Sequence, residues 1–129
     1  MAIIFHPSPG LILFCDFSRG FKEPEMVRSK LVTIAPLSTV EPTPPQAYHY
    51  KIPKQSMPQL GMFQDSDSWL KGDMLYTIGF HRLDLILLNK KGPDSKRQYF
   101  KDRLGRDQMK QIYQCVMHGL NLSKLVPHI

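Results

Sequence analysis

The chain is poor in the residues that build metal, redox and membrane chemistry. Two cysteines, Cys15 and Cys115, stand far apart in 129 residues with no C-x-x-C and no Cys/His spacing. That excludes the usual zinc and dithiol motifs and predicts reduced, buried thiols. The five histidines, His6, His49, His81, His118 and His128, form no i, i+4 pair and sit at no carboxylate spacing suited to a metal, so no cofactor is expected. No apolar run approaches the ~20 residues that cross a bilayer. Met1 to His6 is apolar, but it lacks a basic n-region and is cut by Pro7 and Pro9, so it does not read as a signal peptide. A cytoplasmic protein with no membrane partner is the expectation. Acids are scarce as well: 11 Asp and Glu face 17 Lys and Arg, a formal charge of +6. That excess suits a polyanion such as RNA or DNA, or an acidic protein.

What is present is a globular composition, 42% apolar and 22% charged, at a length that predicts one domain over residues 1–129. Leu11 to Phe17 is an apolar run between Gly10 and Ser18-Arg19-Gly20, too short for a helix, and reads as a buried strand with Asp16 at its end. Phe21 to Lys30 is charged, contains Pro24 and reads as a surface loop. Leu31 to Ala35 is rich in β-branched residues and predicts a second strand closed by Pro36. The prolines between Pro36 and Pro45 enforce an extended connection. Tyr48 to Ile52 and Met74 to Ile78 read as further strands. Leu83 to Leu88 and Arg97 to Phe100 predict a hairpin around a long loop. Only Met109, Ile112, Tyr113, Val116 and Leu120 keep a helical period, so Arg106 to His118 predicts an amphipathic helix stopped by Gly119. Many short strands with one terminal helix predict an α+β fold, mainly β: a small barrel or curled antiparallel sheet with the helix packed on it.

Three groups of side chains carry candidate chemistry. Lys71 and Asp73, two residues apart, share a face if the chain there is extended, so a cation and a carboxylate could act on one substrate. Ser38 and Thr39 follow Pro36 and suit either a phosphate contact or a turn. Tyr48, His49, Tyr50 and Lys54 interleave aromatic and cationic groups, as a surface that stacks and neutralises single-stranded RNA does, or else the tyrosines are core. Lys71 and Asp73 have a plainer use too, as an exposed ion pair worth under ~1 kcal/mol.

Trp69-Leu70-Lys71-Gly72-Asp73-Met74-Leu75-Tyr76-Thr77-Ile78, the opening Pro9 to Phe17 and the segment Pro36-Leu37-Ser38-Thr39 together resemble the PemK/MazF family of toxin endoribonucleases. The resemblance runs from the N-terminus to about Asp84. It implies an SH3-like, PemK-type barrel and metal-independent cleavage of single-stranded mRNA by a toxin. On that basis Lys30 or Arg28 stabilises charge, Ser38 or Thr39 holds a phosphate oxygen, and Lys71 with Asp73 takes part in proton transfer. The expected RNA contacts are Arg19, Lys22, Arg28, His49, Lys54, His81 and Arg82. The partners implied are an acidic antitoxin protein and a second copy in a homodimer. From Met26 to Pro36 the chain has one strand where the family has two, a difference of about one strand and a loop. Lys30 then stands where Arg is usual and Leu31 where Pro is usual, and a lysine does not replace the bidentate fork of arginine on a phosphate. Two other functions are compatible with the same fold: a toxin that inhibits a protein such as DNA gyrase, and a catalytically degenerate module that binds RNA or antitoxin.

Overall fold

The β-branched stretch Leu31–Ile34 forms a strand because its alternation matches the pleat. Val32 and Ile34 turn inward while Leu31 is exposed. In the computed structural model, which describes residues 2–19, 31–92 and 96–129, this logic yields short strands throughout. They are β1 (Phe14–Cys15), β2 (Leu31–Ile34), β3 (Leu37–Ser38), β4 (His49–Ile52), β5 (Ser68–Lys71), β6 (Tyr76–Gly79), β7 (Leu83–Asp84), β8 (Leu87–Lys91) and β9 (Arg97–Tyr99). Among the described residues there are also two α-helices, α1 (Gly61–Asp65) and α2 (Arg106–Gly119), and short 3-10 turns. The fold is α+β, with several small antiparallel sheets and a C-terminal helix. Among the described residues the strands pair as β1-β7, β2-β6, β3-β5-β4 and β8-β9 and do not close into a ring. The expected loop from Phe21 to Lys30 and the residues Pro93 to Ser95 between β8 and β9 lie outside the described residues.

The chain divides into two compact units. The first comprises Met1–Ile34 and Tyr76–Arg103, the second Ala35–Leu75 and Leu104–Ile129. In the first, Ile3, Ile78, Phe80 and Leu83 form a buried cluster covered by Leu13, Val32 and Ile34. The Leu11 to Phe17 run contributes only two residues to a ladder. Phe14 lies opposite Asp84 and Cys15 opposite Leu83, and the Asp16 N–H extends the pairing to the Arg82 carbonyl at 2.8 Å. Beyond it, Asp16 bends the chain by accepting the Ser18 N–H at 2.9 Å.

In the second unit β5 is the central strand, and Ile52, Leu70, Ile112 and Cys115 are buried. Helix α2 packs on β4, and the Cys115 thiol donates to the His49 carbonyl at 3.4 Å. Burial pushes that thiol above its ordinary pKa. The predicted helix matches the observed one within a residue, but its stop is built differently. Asn121 takes the left-handed conformation (φ 64°), its N–H donates to the His118 carbonyl at 3.1 Å, and the Leu122 N–H donates to Met117 at 2.8 Å. That is a Schellman closure with asparagine in the glycine position. Gly119 has another duty: a Cβ there would collide with the carbonyl of Gly72 and lie 2.7 Å from the Asp73 nitrogen. Its bare backbone lets the helix end touch the turn after β5.

Candidate functional site

β5 carries the candidate site because its two faces differ in chemistry. Ser68 and Leu70 face the core, 0% and 5% exposed, so Trp69 and Lys71 take the opposite face. Residues directly opposite in an antiparallel pair share a face. Ser38 of β3 and Lys51 of β4 therefore flank Trp69, and His49 of β4 stands beside Lys71. One row reads Ser38, Trp69, Lys51; the next holds Lys71 and His49.

Several polar atoms in these rows are already oriented. The Ser38 hydroxyl accepts the Val40 N–H at 3.1 Å, the turn use of such a residue, and its own O–H remains a donor. His49 Nδ1 accepts the Gln46 N–H at 2.9 Å, which places the proton of the neutral ring on Nε2. Lys71 and Asp73 do not share an extended strand. Lys71 ends β5, the Met74 N–H returns to the Lys71 carbonyl at 3.2 Å, and Asp73 is exposed in that turn. The turn forms because Gly72 is buried and its N–H is held by the Tyr48 carbonyl at 2.8 Å. A side chain there would lie 2.8 Å from the Cys115 carbonyl oxygen.

Beside Trp69 an open cleft of about 320 Å³ is bordered by Glu41, Lys51, Lys54, Asp65 and Asp67. Thr39 reaches it too, its hydroxyl directed at the Met62 sulfur at 3.4 Å. Asp67 is committed: it accepts the backbone N–H of Lys54 at 2.8 Å and pairs with the Lys51 ammonium at 3.5 Å. The Lys54 N–H, helped by the Lys51 charge, holds the Asp67 carboxyl below its ordinary pKa. Glu41 and Asp65 form no hydrogen bond or ion pair among the described residues.

The remaining predicted cationic residues fall elsewhere. Arg19, His81 and Arg82 belong to the first unit. There the Arg19 guanidinium forks onto Asp84 at 3.1 and 2.5 Å and contacts Asp16 at 3.4 Å, while Arg82 Nε donates to the Arg19 carbonyl at 2.9 Å. The Arg19 fork keeps the Asp84 carboxyl below its usual range. His81 is only 6% exposed. Lys22, Arg28 and Lys30, with the shortened junction before Leu31, lie outside the described residues.

Residue reading alone overlooked Trp69, Lys51, Glu41 and Asp65 as site members. The signal was inverted: β5 places a serine inside and a tryptophan outside, so hydrophobic alternation points to the wrong face. The usable cue was Asp67-Ser68-Trp69-Leu70-Lys71 as a stretch in which an aromatic and a cation share a parity. No protein-family model matches the chain and no curated protein is significantly similar to it.

Proposed function

We propose that the protein is a toxin of the PemK/MazF type, an endoribonuclease that cleaves single-stranded mRNA without a metal on the Ser38, Trp69, Lys51, Lys71, His49 face. The observation that carries this reading is the register of β3, β5 and β4, which gathers hydroxyl, aromatic and cationic groups from three segments on one surface. RNA cleavage of this class is a transesterification. The 2′-oxygen attacks phosphorus while a base takes its proton, the 5′-oxygen leaves with a proton from an acid, and cations stabilise the phosphorane. Lys71 supplies positive charge, and Asp73 across the turn is the proposed base. The Ser38 O–H and His49 Nε2–H are donors suited to phosphate oxygens. Thr39 and Lys54, at the cleft, serve the neighbouring nucleotide. On the same reading the sheets belong to an SH3-like, PemK-type barrel, the protein acts in the cytoplasm as a homodimer, and an acidic antitoxin segment covers the RNA surface.

A second reading is a module that binds RNA or antitoxin and does not cut. One observation favours it: the turn at Gly72 takes Asp73 off the strand that carries Lys71. End-labelled single-stranded RNA incubated in EDTA separates the two. Fragments ending in a 2′,3′-cyclic phosphate and a 5′-hydroxyl support the enzyme, and Asp73→Asn then lowers cleavage far more than binding. Binding without fragments supports the module. Neither binding nor fragments, with inhibition of gyrase supercoiling, indicates a toxin directed at a protein.

A further inference from the structure

We propose that the cleft beside Trp69 holds one unpaired nucleobase bearing an exocyclic amino group, stacked on the indole and hydrogen-bonded by Glu41 and Asp65. The inference rests on the ribonuclease reading and names the part of the RNA that the cleft takes.

Three features of the cleft select this occupant. Trp69 is half-buried, held by its neighbours on β3 and β4 yet bordering open space, as a stacking platform must be. At about 320 Å³ the cleft lies at the small end of ligand sites, below what a bulky ligand needs. The carboxylates then decide the polarity. Asp67 is taken by Lys51 and the Lys54 N–H, whereas Glu41 and Asp65 keep their oxygens open among the described residues. An ionised carboxylate only accepts hydrogen bonds, so the pair repels a phosphate and fits N–H donors. Adenine N6, cytosine N4 and guanine N2 with its N1–H present such donors, whereas uracil, with no amino group, offers only its single N3–H. The Lys54 ammonium, with no carboxylate bound to it among the described residues, borders the same cleft and suits the phosphate attached to the stacked nucleotide. A cationic side chain of a protein partner would meet the same acids and indole, which makes it the competing occupant.

Trp69 is the only tryptophan of the chain, so its fluorescence reports this cleft alone. The intact protein is titrated with single-stranded oligo(A), oligo(C) and oligo(U), and with an arginine-rich peptide. Quenching by oligo(A) and oligo(C) at about tenfold lower concentration than by oligo(U) is expected. The double variant Glu41→Gln, Asp65→Asn keeps the quenching and narrows that preference to about threefold or less. Equal affinity for all three oligonucleotides in the unaltered protein overturns base reading. So does quenching by the peptide alone. Cleavage of RNA without any quenching overturns the pocket and leaves the ribonuclease standing. Preferential quenching without cleavage keeps the pocket and removes the ribonuclease.

Discussion

The two units use the same residue types in opposite ways. In the first, arginine and aspartate are turned on each other: Arg19 forks onto Asp84, touches Asp16 and donates to the His81 carbonyl at 3.2 Å. In the second, Lys51 is tied to Asp67, whereas Lys54 borders the cleft and neither it nor Lys71 is bound to a carboxylate among the described residues. A guanidinium with its donors turned on two carboxylates and a carbonyl has little left for a phosphate, while an unpaired ammonium has three donors. Positive charge in the sequence therefore divides into charge that fixes loops and charge that can meet a ligand. The glycines differ in the same spirit. Gly61 takes a positive φ of 48° in open space, but Gly72 and Gly119 are small because two backbones meet.

The largest expected effect tests that backbone contact. Gly119→Ala forces a Cβ into Gly72 and Asp73, atoms that cannot swing away, and should destabilise the protein by about 3 kcal/mol. Gly105→Ala, whose nearest neighbour is the Gln108 side-chain oxygen at 3.7 Å, should cost under about 1 kcal/mol. Urea titration of both variants checks the difference, and equal midpoints would break the assigned role of Gly119. Next, on the proposed ribonuclease reading, Lys71→Ala should lower RNA cleavage about tenfold with an unchanged melting temperature, since the side chain has no partner among the described residues. Arg19→Ala should do the reverse, lowering the melting temperature and leaving RNA affinity unchanged. A loss of RNA affinity in the Arg19 variant would erase the contrast between the units.

Asn121→Ala should cost about 1 kcal/mol, because alanine meets the full steric penalty at a positive φ, and Asn121→Gly should be neutral or slightly stabilising. Thermal melts of the pair read this directly. The smallest effect is a pH dependence. Asp84 has a folded pKa depressed by Arg19, so its contribution is present above the ordinary aspartate value of about 3.9 and is lost as pH falls through the lower folded value. Asp84→Asn should therefore flatten the acid limb of stability and lower it at neutral pH. A variant with an unaltered acid limb would show that the fork adds nothing.

Much of the local structure was legible from the chain. The helix announced itself through the helical spacing of Met109, Ile112, Tyr113, Val116 and Leu120, although of these only Ile112 is buried, with Cys115 beside it, and β2 did so because Val32 and Ile34 alternate with Leu31 and Thr33. The hairpin was legible in part: Arg97 to Tyr99 forms one arm, but of the Leu83 to Leu88 run only Leu87 and Leu88 join the other, which continues to Lys91, while Leu83 and Asp84 pair with β1. Less was legible of the site. Lys71 and Asp73 looked like strand neighbours because their spacing is two, and no local cue reveals that Gly72 bends under the helix end. Arg19 and His81 looked like surface groups by residue type, but a partner 65 positions away took the guanidinium, and burial took the imidazole.

By itself the sequence determined the mixture of short strands and one terminal helix, the excess of positive charge, and where prolines keep the chain extended. These follow from residue-level preferences: pleat parity, helical period, ring-locked φ and ionisation. Only the tertiary structure decided which of the described cations are turned on carboxylates, that β5 is central with its serine inside and its tryptophan outside, and that two glycines let a helix end meet a turn. Such choices depend on contacts between segments far apart in the chain, where steric fit and the pairing of buried polar groups outweigh local preference.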